Sequence, residues 1–307
     1  MLWKDSVRVR SSVMNKNRIK HHKFGKSVFI VVGMVLLIIY TLSFLVPLFW
    51  ALITSFKSET DFMRHTFSVP TEVIFSNYAY VFREMAVPVS TLGNIYIVEM
   101  FFNSICYTVI CTFTHTITPL ICAYAVAKFN FKFGKVIYGI VIVTMILPII
   151  GNLASEIQVS KAVGFYDSLF GVAIMKGHFL GTNFLIYYAS FKSLPNDYKE
   201  AAEIDGASQF QILTEVVVPL IKTTIGAIAL LSFIGYWNDY TTAMIYLPSR
   251  PTIAYGLYYF THSTTNEASY VTVGIAACMM VTIPIFIVFL IFKNKLVGNI
   301  AVGGIKG

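Results

Sequence analysis

The sequence predicts an all-α polytopic membrane protein with six transmembrane helices, and three observations carry that expectation. Apolar residues make up 56% of the chain and charged residues 12%, with a mean hydropathy of +0.71, which no ordinary soluble domain carries. Apolar runs long enough to span a bilayer recur along the chain between short polar segments. Lys and Arg are distributed unevenly: with the N-terminus inside, 17 of the 23 fall in cytoplasmic tails and loops and 6 outside, and both termini are then cytoplasmic. The net charge of +8 is therefore topological, and no nucleic-acid partner is expected. Cys106, Cys111, Cys122 and Cys278 lie inside apolar runs without C-x-x-C spacing, so they are expected to be packing residues rather than a disulfide framework or zinc site.

Residues 1–27 hold eight basic residues against Asp5 and are expected to be a cytoplasmic tail. The uncharged run behind them is too long for a signal-peptide core and reads as an anchor. Gly25-Lys26-Ser27 has the form of the end of a phosphate-binding loop, but Lys20 stands where the first glycine belongs, so no nucleotide site is expected in this chain. The first span is placed at residues 28–53, followed by a polar external lobe to residue 99, together one region, 28–99. The core, 100–292, opens with a second span at 100–127, where His115 among threonines reads as an interhelical hydrogen-bonding group. Lys128, Lys132 and Lys135 mark a cytoplasmic turn, and the third span is placed at 136–155, with Pro148 permitting a kink near Asn152. A fourth span must begin near Gly171 and include Lys176 and His178 to reach crossing length. The fifth is placed at 223–246, the sixth at 269–292, and 293–307 forms a cytoplasmic tail.

Between the fourth and fifth spans, residues 192–222 form a polar loop of three lysines and five acids, net −2 within a basic chain. Asp197 and Glu200 sit in the first turn of a short helix, where acids suit the helix dipole, and Gly206 supplies a left-handed stop. A second helix begins at Ser208, carries Phe210, Leu213 and Val217 at apolar spacing, and is perturbed by Pro219. Ala202 and Gly206 share a face without bulk, which suits the close approach of another backbone. Glu203 and Asp205, misplaced for the dipole, are expected to face an outside cation, so the loop's sign favours a basic protein partner over anionic lipid.

The spacing Glu200-Ala201-Ala202, Gly206, then Val216-x-Val218-Pro219 resembles the EAA loop of ATP-binding-cassette (ABC) importer permeases, with valine at both aliphatic positions as a mild departure. With the stretch from Leu194 to Ala207, the segment from Phe233 to Tyr240 and the glycine-rich end at 303–307, the chain is similar to the carbohydrate-uptake branch, of the maltose-transporter inner-subunit type, from about residue 28 to 307. The resemblance implies a type I ABC importer permease in a bacterial plasma membrane. Its loop would be a coupling helix inserted into an ATPase subunit through Glu200, Ala201, Ala202 and Gly206, with Asp205 and Pro219 in the same element. It also implies a second homologous permease, two ATP-binding-cassette subunits that bind ATP and Mg, and an extracytoplasmic sugar-binding protein, which the loop at 247–268 would face.

A sugar path at membrane depth needs aromatic faces for the ring C–H surface and amides or carboxylates for the hydroxyls. Trp237, Asn238, Asp239 and Tyr240 supply that mixture, with Tyr236 and Tyr240 on one face of a continuous helix; Asn152, and Asn183 with Tyr187, are further candidates, and Lys176 is a candidate to compensate Asp239. The competing reading is an interfacial aromatic belt with asparagines joining helices. An autonomous ion- or proton-coupled carrier would need more acids within the spans than Asp239, and no metal cluster or nucleophile–base pairing supports an intramembrane enzyme.

Overall fold

The computed structural model describes residues 29–129, 131–147, 151–262 and 270–300, the last nine of these as backbone; the basic tail at 1–27, Pro148, residues 263–268 of the loop expected at 247–268, and the end at 301–307 lie outside the described residues. The chain divides into two compact units, Met1–Val73 and Ile74–Gly307.

In the first unit, helix α1 (Phe29–Thr54) is long and apolar enough to cross a membrane, and Leu37 and Phe44 are among its many exposed side chains. The chain leaving it closes on itself. Ser58 caps α2 (Glu59–Arg64) by accepting the Asp61 amide, and an Asp61 carboxylate oxygen accepts the Thr71 amide at 3.0 Å. Lys57 is fully buried, donating to the His65 carbonyl at 2.6 Å, and Trp50 donates to the Thr66 carbonyl at 3.0 Å. The lobe expected from its polarity alone therefore has a built interior.

In the second unit, α3 (Ser76–Glu84) leads into a hairpin of β1 (Ala86–Val89) and β2 (Gly93–Tyr96), paired antiparallel with Val87 opposite Ile95. Gly93 makes the turn possible at φ +78°. Helix α4 (Ile97–Lys128) follows. At about 1.5 Å per residue its 32 residues reach about 48 Å, more than a hydrocarbon core. Three buried clusters are strung along it. Met100, with Met85, Val87, Ile253, Phe260 and Ala276, forms the first; Tyr107 and Cys111, with Val172, Ala173 and Leu247, form the second. Ala123 and Tyr124, with Val141, Phe184, Phe191, Ile212 and Ile221, form the third. Buried backbone ends are satisfied across the core: the Ile253 amide donates to the Ser104 hydroxyl at 2.6 Å, and the Asn103 amide nitrogen to the Pro251 carbonyl at 3.2 Å. The cysteines are free thiols, Cys111 buried and Cys278 exposed.

The spans are less continuous than expected. Among the described residues three helices, α1, α4 and α14 (Val271–Ile300), qualify as crossings on length and composition, or up to four if one bent pair counts as one. The third expected span stops at Ile146 in α5 (Gly134–Ile146), and α6 (Leu153–Ala162) is a separate helix starting past Gly151 at φ +83°. The fourth is broken into α7 (Leu169–Lys176) and α8 (Thr182–Ser193) by a segment with glycine at both ends, Gly177 and Gly181. The fifth ends at Trp237 in α11 (Lys222–Trp237), and a new helix, α12 (Tyr240–Tyr246), starts after Asp239. The freed backbone is repaid from neighbouring elements: the Lys176 carbonyl accepts from His115 Nδ1 at 3.0 Å, and the Ala173 carbonyl accepts from the Thr114 hydroxyl at 2.9 Å. His115 is the interhelical bridge its setting predicts. Before α14 lies α13 (Ile253–Thr261), capped by Thr252.

Gly171 packs where a Cβ would overlap the Phe165 backbone, at its Cα and its carbonyl oxygen. Gly171→Ala forces backbone apart and is expected to destabilise the chain by about 1–3 kcal/mol. The thermal midpoint of the purified protein checks this, and an unshifted midpoint contradicts the packing.

Candidate coupling loop and membrane-embedded polar cluster

The loop begins where Leu194, extended at ψ 128° as the residue before Pro195 must be, leaves α8. Lys128 at the end of α4 donates to the Leu194 carbonyl at 2.7 Å and the Asn196 side-chain oxygen at 3.0 Å, fixing the entry. Helix α9 (Asp197–Ile204) carries Asp197 and Glu200 in its first turn. Its end is a Schellman turn: Gly206 at φ +81° lets its own amide reach the Glu203 carbonyl at 3.1 Å and the Ala207 amide reach the Ala202 carbonyl at 3.0 Å. Ser208 then caps α10 (Gln209–Leu220) in a reciprocal capping box with Gln211, which the S-x-x-Q spacing announces and which the sequence reading missed. Pro219 has no amide to donate and its ring crowds the preceding turn, and the helix widens to a π-turn over Ile212–Val217. At Ile221 the chain turns by 80° into α11.

Three expectations about this loop are corrected. Ala202 does not present a bare face outward: with Ala207 it packs on the third core cluster, so its small size serves the approach of α9 to α10 within this chain. Glu203 does not wait for an outside cation. It accepts from Gln209 Nε2 at 2.8 Å and pairs with Lys199 at 3.4 Å, and these partners, the Gln209 hydrogen bond first, hold its carboxyl below the usual range. What faces outward is Glu200, Ala201, Asp205 and Gly206, flanked by Ile204 at 86% and Phe210 at 73% exposure. Phe210, assigned by its spacing to an apolar face, is exposed instead, as is Ile204, so the polar loop carries two exposed large apolar side chains.

The second polar grouping surrounds the break after α11. Asp239 accepts from Tyr107 Oη at 2.9 Å and caps α12 by accepting the Thr242 amide at 2.9 Å. Tyr107 is wholly buried and was not anticipated, because only the fold brings it to a residue 132 positions away. Tyr236 packs edge-on against Tyr107 and His115, at 5.9 and 5.6 Å between ring centres. Trp237 is 3% exposed, wedged against Phe101 and Phe233 with its ring nitrogen on the Val281 carbonyl; it is a packing residue. Asn238 is exposed and its amide folds back to the Ile234 carbonyl at 2.8 Å. Tyr240 does not share a helical face with Tyr236, since the helix breaks between them, but stacks on Tyr258 at 4.6 Å and 11°, with His262 beyond. Asn152 pairs with Glu156 on the exposed start of α6, and the other Glu156 oxygen accepts from Tyr246 Oη at 2.9 Å. Asn183 is half-buried on α8, with Tyr187 wholly buried beside it. Asp239 and Trp237 thus serve the fold, while Asn238 and Tyr240 are exposed. No group of His, Cys, Asp and Glu among the described residues is placed to hold a metal ion.

Residues 116–298 match the family described as binding-protein-dependent transport system inner membrane component. The diacetylchitobiose uptake system permease protein NgcG of Streptomyces coelicolor is 25% identical over 278 residues, covering 90% of this chain and 88% of that one. The trehalose transport system permease protein SugB of Mycobacterium tuberculosis is 27% identical, covering 86% and 93%. Among solved structures, a chain of a bacterial ABC transporter involved in the import of the acidic polysaccharide alginate superposes with a TM-score of 0.70 at 26% identity, over 87% of this chain and 96% of that one. A chain of a bacterial alginate ABC transporter in complex with alginate pentasaccharide-bound periplasmic protein has the same fold, with a TM-score of 0.59 at 14% identity over 89% and 96%.

Proposed function

Since the chain belongs to the family of binding-protein-dependent transport system inner membrane components, we propose that it is the transmembrane permease subunit of an ATP-driven carbohydrate importer. It is a transport subunit and not an enzyme. The observation that carries the reading is the two-faced loop: Ala202, Ala207, Ile212 and Ile221 bind α9 and α10 to the α4–α8 core, while Glu200, Ala201, Ile204, Gly206 and Phe210 are turned outward without partners in their own core. A surface so built receives force from a docked protein and passes it to the bundle. Because α10 joins α11 through a bend whose side chains lie in the same cluster, displacement of the loop moves α11 and α8 as a body, the rigid-body switching an alternating-access permease requires.

In this reading the broken helices α7 with α8 and α11 with α12, together with α5, complete six crossings, and both termini lie in the cytoplasm of a bacterial cell. The excess of Lys and Arg on that side supports this orientation. A second homologous permease supplies the other half of the path, two ATP-binding-cassette subunits dock on the α9–α10 loops and bind the ATP and Mg, and an extracytoplasmic binding protein delivers the sugar. Exposed Tyr240, stacked on half-buried Tyr258, and exposed Asn238 offer the ring face and amide a saccharide needs. The complex reconstituted in vesicles tests the reading against an ion-coupled carrier. Uptake of a labelled oligosaccharide is expected to require ATP on the loop side and to survive a protonophore. Uptake that ignores ATP and collapses with the proton gradient overturns it.

A further inference from the structure

A pocket of about 950 Å³ opens between the end of α4, the start of α5 and the end of α8, beside the entry to the coupling loop. Four lysines line it, Lys128, Lys132, Lys135 and Lys192, and no acid among the described residues does. Among the described residues none of the four forms an ion pair; the neighbouring Lys199 is the lysine that Glu203 neutralises. Lys132, Lys135 and Lys192 are exposed, Lys192 lying over the Tyr188 ring at 5.7 Å, so four positive charges converge on one concave site with no carboxylate among the described residues paired to them. One wall is aromatic, with Tyr138 and Tyr188 in contact at 4.8 Å between ring centres. From Tyr138 the pocket runs onto an outer face of α5 that is apolar and uncovered: Val136 is 54%, Ile140 48% and Val143 51% exposed.

A cationic cup continuous with an exposed apolar helix matches an amphiphile with an anionic head. We propose that this pocket binds the phosphate headgroup of an anionic phospholipid of the inner leaflet, with its acyl chains along α5. Basic pockets between spans at the cytoplasmic membrane face are sites for such headgroups. An acidic protein surface would match the lysines but would leave the apolar continuation on α5 without a role. The proposal rests on the orientation given above, which puts the lysine-rich turns inside. It also assigns a regulatory consequence: because Lys128 holds the Leu194 carbonyl and Asn196, a headgroup in the pocket meets the residue that anchors α9, so bound lipid stiffens the start of the coupling loop.

The test uses the tagged full chain with whatever subunits it carries, stripped of lipid and titrated with phosphatidylglycerol or phosphatidylcholine under native mass spectrometry. Phosphatidylglycerol is expected to bind the wild type in preference to phosphatidylcholine. At about 5-fold per lysine near a membrane surface, Lys132→Gln with Lys135→Gln is expected to weaken it about 30-fold, while Lys132→Arg with Lys135→Arg retains it. Both side chains are exposed, so folding is not at stake. Equal binding of the two lipids by the wild type, or undiminished phosphatidylglycerol binding in the glutamine variant, overturns the proposal. So does a glutamine variant that keeps the lipid and sheds the ATPase, which would make the pocket a protein interface. Absence of an ATPase from the wild-type assembly would overturn the functional reading alone, because the lipid titration does not depend on transport.

Discussion

Glu200→Ala combined with Gly206→Leu is expected to lower ATP-dependent uptake, and retention of the ATPase subunit, by about 30-fold or more. The estimate takes the outward face of the α9–α10 turn as an interface anchor contributing about 2 kcal/mol or more. Gly206 contributes in two separable ways. At φ +81° a leucine costs about 1–2 kcal/mol in backbone conformation, which loosens the Schellman turn. Apart from its two chain neighbours, no described residue has an atom within 4 Å of where its Cβ would be, so the side chain itself projects into the space open to a partner. Gly206→Asn separates the two, since asparagine tolerates the left-handed conformation but still adds bulk. It is expected to keep the loop's fold and still impair docking. Ile204→Ser provides a third arm: at 86% exposure that side chain stabilises nothing within the chain, so a loss of ATPase retention locates it in the interface. Unchanged uptake in all three variants contradicts the docking role.

Asp239→Ala is expected to lower the thermal midpoint of the complex and to abolish uptake through misfolding of the α11–α12 break rather than through lost sugar contact. The substitution removes the cap of α12, worth about 1 kcal/mol, and leaves the buried Tyr107 hydroxyl without an acceptor, costing about 1–3 kcal/mol more. Asp239→Asn keeps one oxygen and is expected to lose about half as much. Tyr107→Phe removes the donor but leaves the carboxylate its Thr242 bond, and is expected to be the mildest of the three. The informative contrast is with Tyr240→Ala. Tyr240 is 38% exposed and stacks on a half-buried Tyr258, so that variant is expected to lower the thermal midpoint less than Asp239→Ala does and to raise the sugar concentration needed for half-maximal uptake. An Asp239→Ala complex with normal stability and altered sugar affinity would return Asp239 to the substrate path.

The contrast between these two sites follows how each is encoded. The loop at 192–222 was legible in outline because its determinants are local: a left-handed glycine, acids in a first turn and a proline all act within a few residues, and each is found where its chemistry places it. Which face of α9 looks outward was not legible. Ala202 and Gly206 are neighbours on an ideal helix, but the turn at Gly206 folds α10 back over Ala202, a tertiary event no spacing records. The same limit governed the spans. In a segment apolar all round, periodicity carries no facing information, so Trp237 read as path-lining although it packs against Phe101. The breaks at Gly177 and Asn238 were invisible because what sustains them is remote in sequence: His115 satisfies the Lys176 carbonyl, and Tyr107 meets Asp239. The hairpin at residues 86–96 escaped notice for a different reason. Its strands are four residues each, and the pattern Ala86-Val87-Pro88-Val89 is too short for alternation to separate it from a loop.

The most direct measurement of the central claim is to solubilise the tagged chain from its own membranes, with and without Glu200→Ala plus Gly206→Leu, and identify the co-purifying proteins by mass spectrometry. The wild type is expected to bring down an ATP-binding-cassette subunit and a second permease, and the variant to retain the permease while losing the ATPase. A wild-type chain that purifies alone, or a variant that holds the ATPase as firmly as the wild type, would contradict the claim that this loop couples ATP hydrolysis to sugar import.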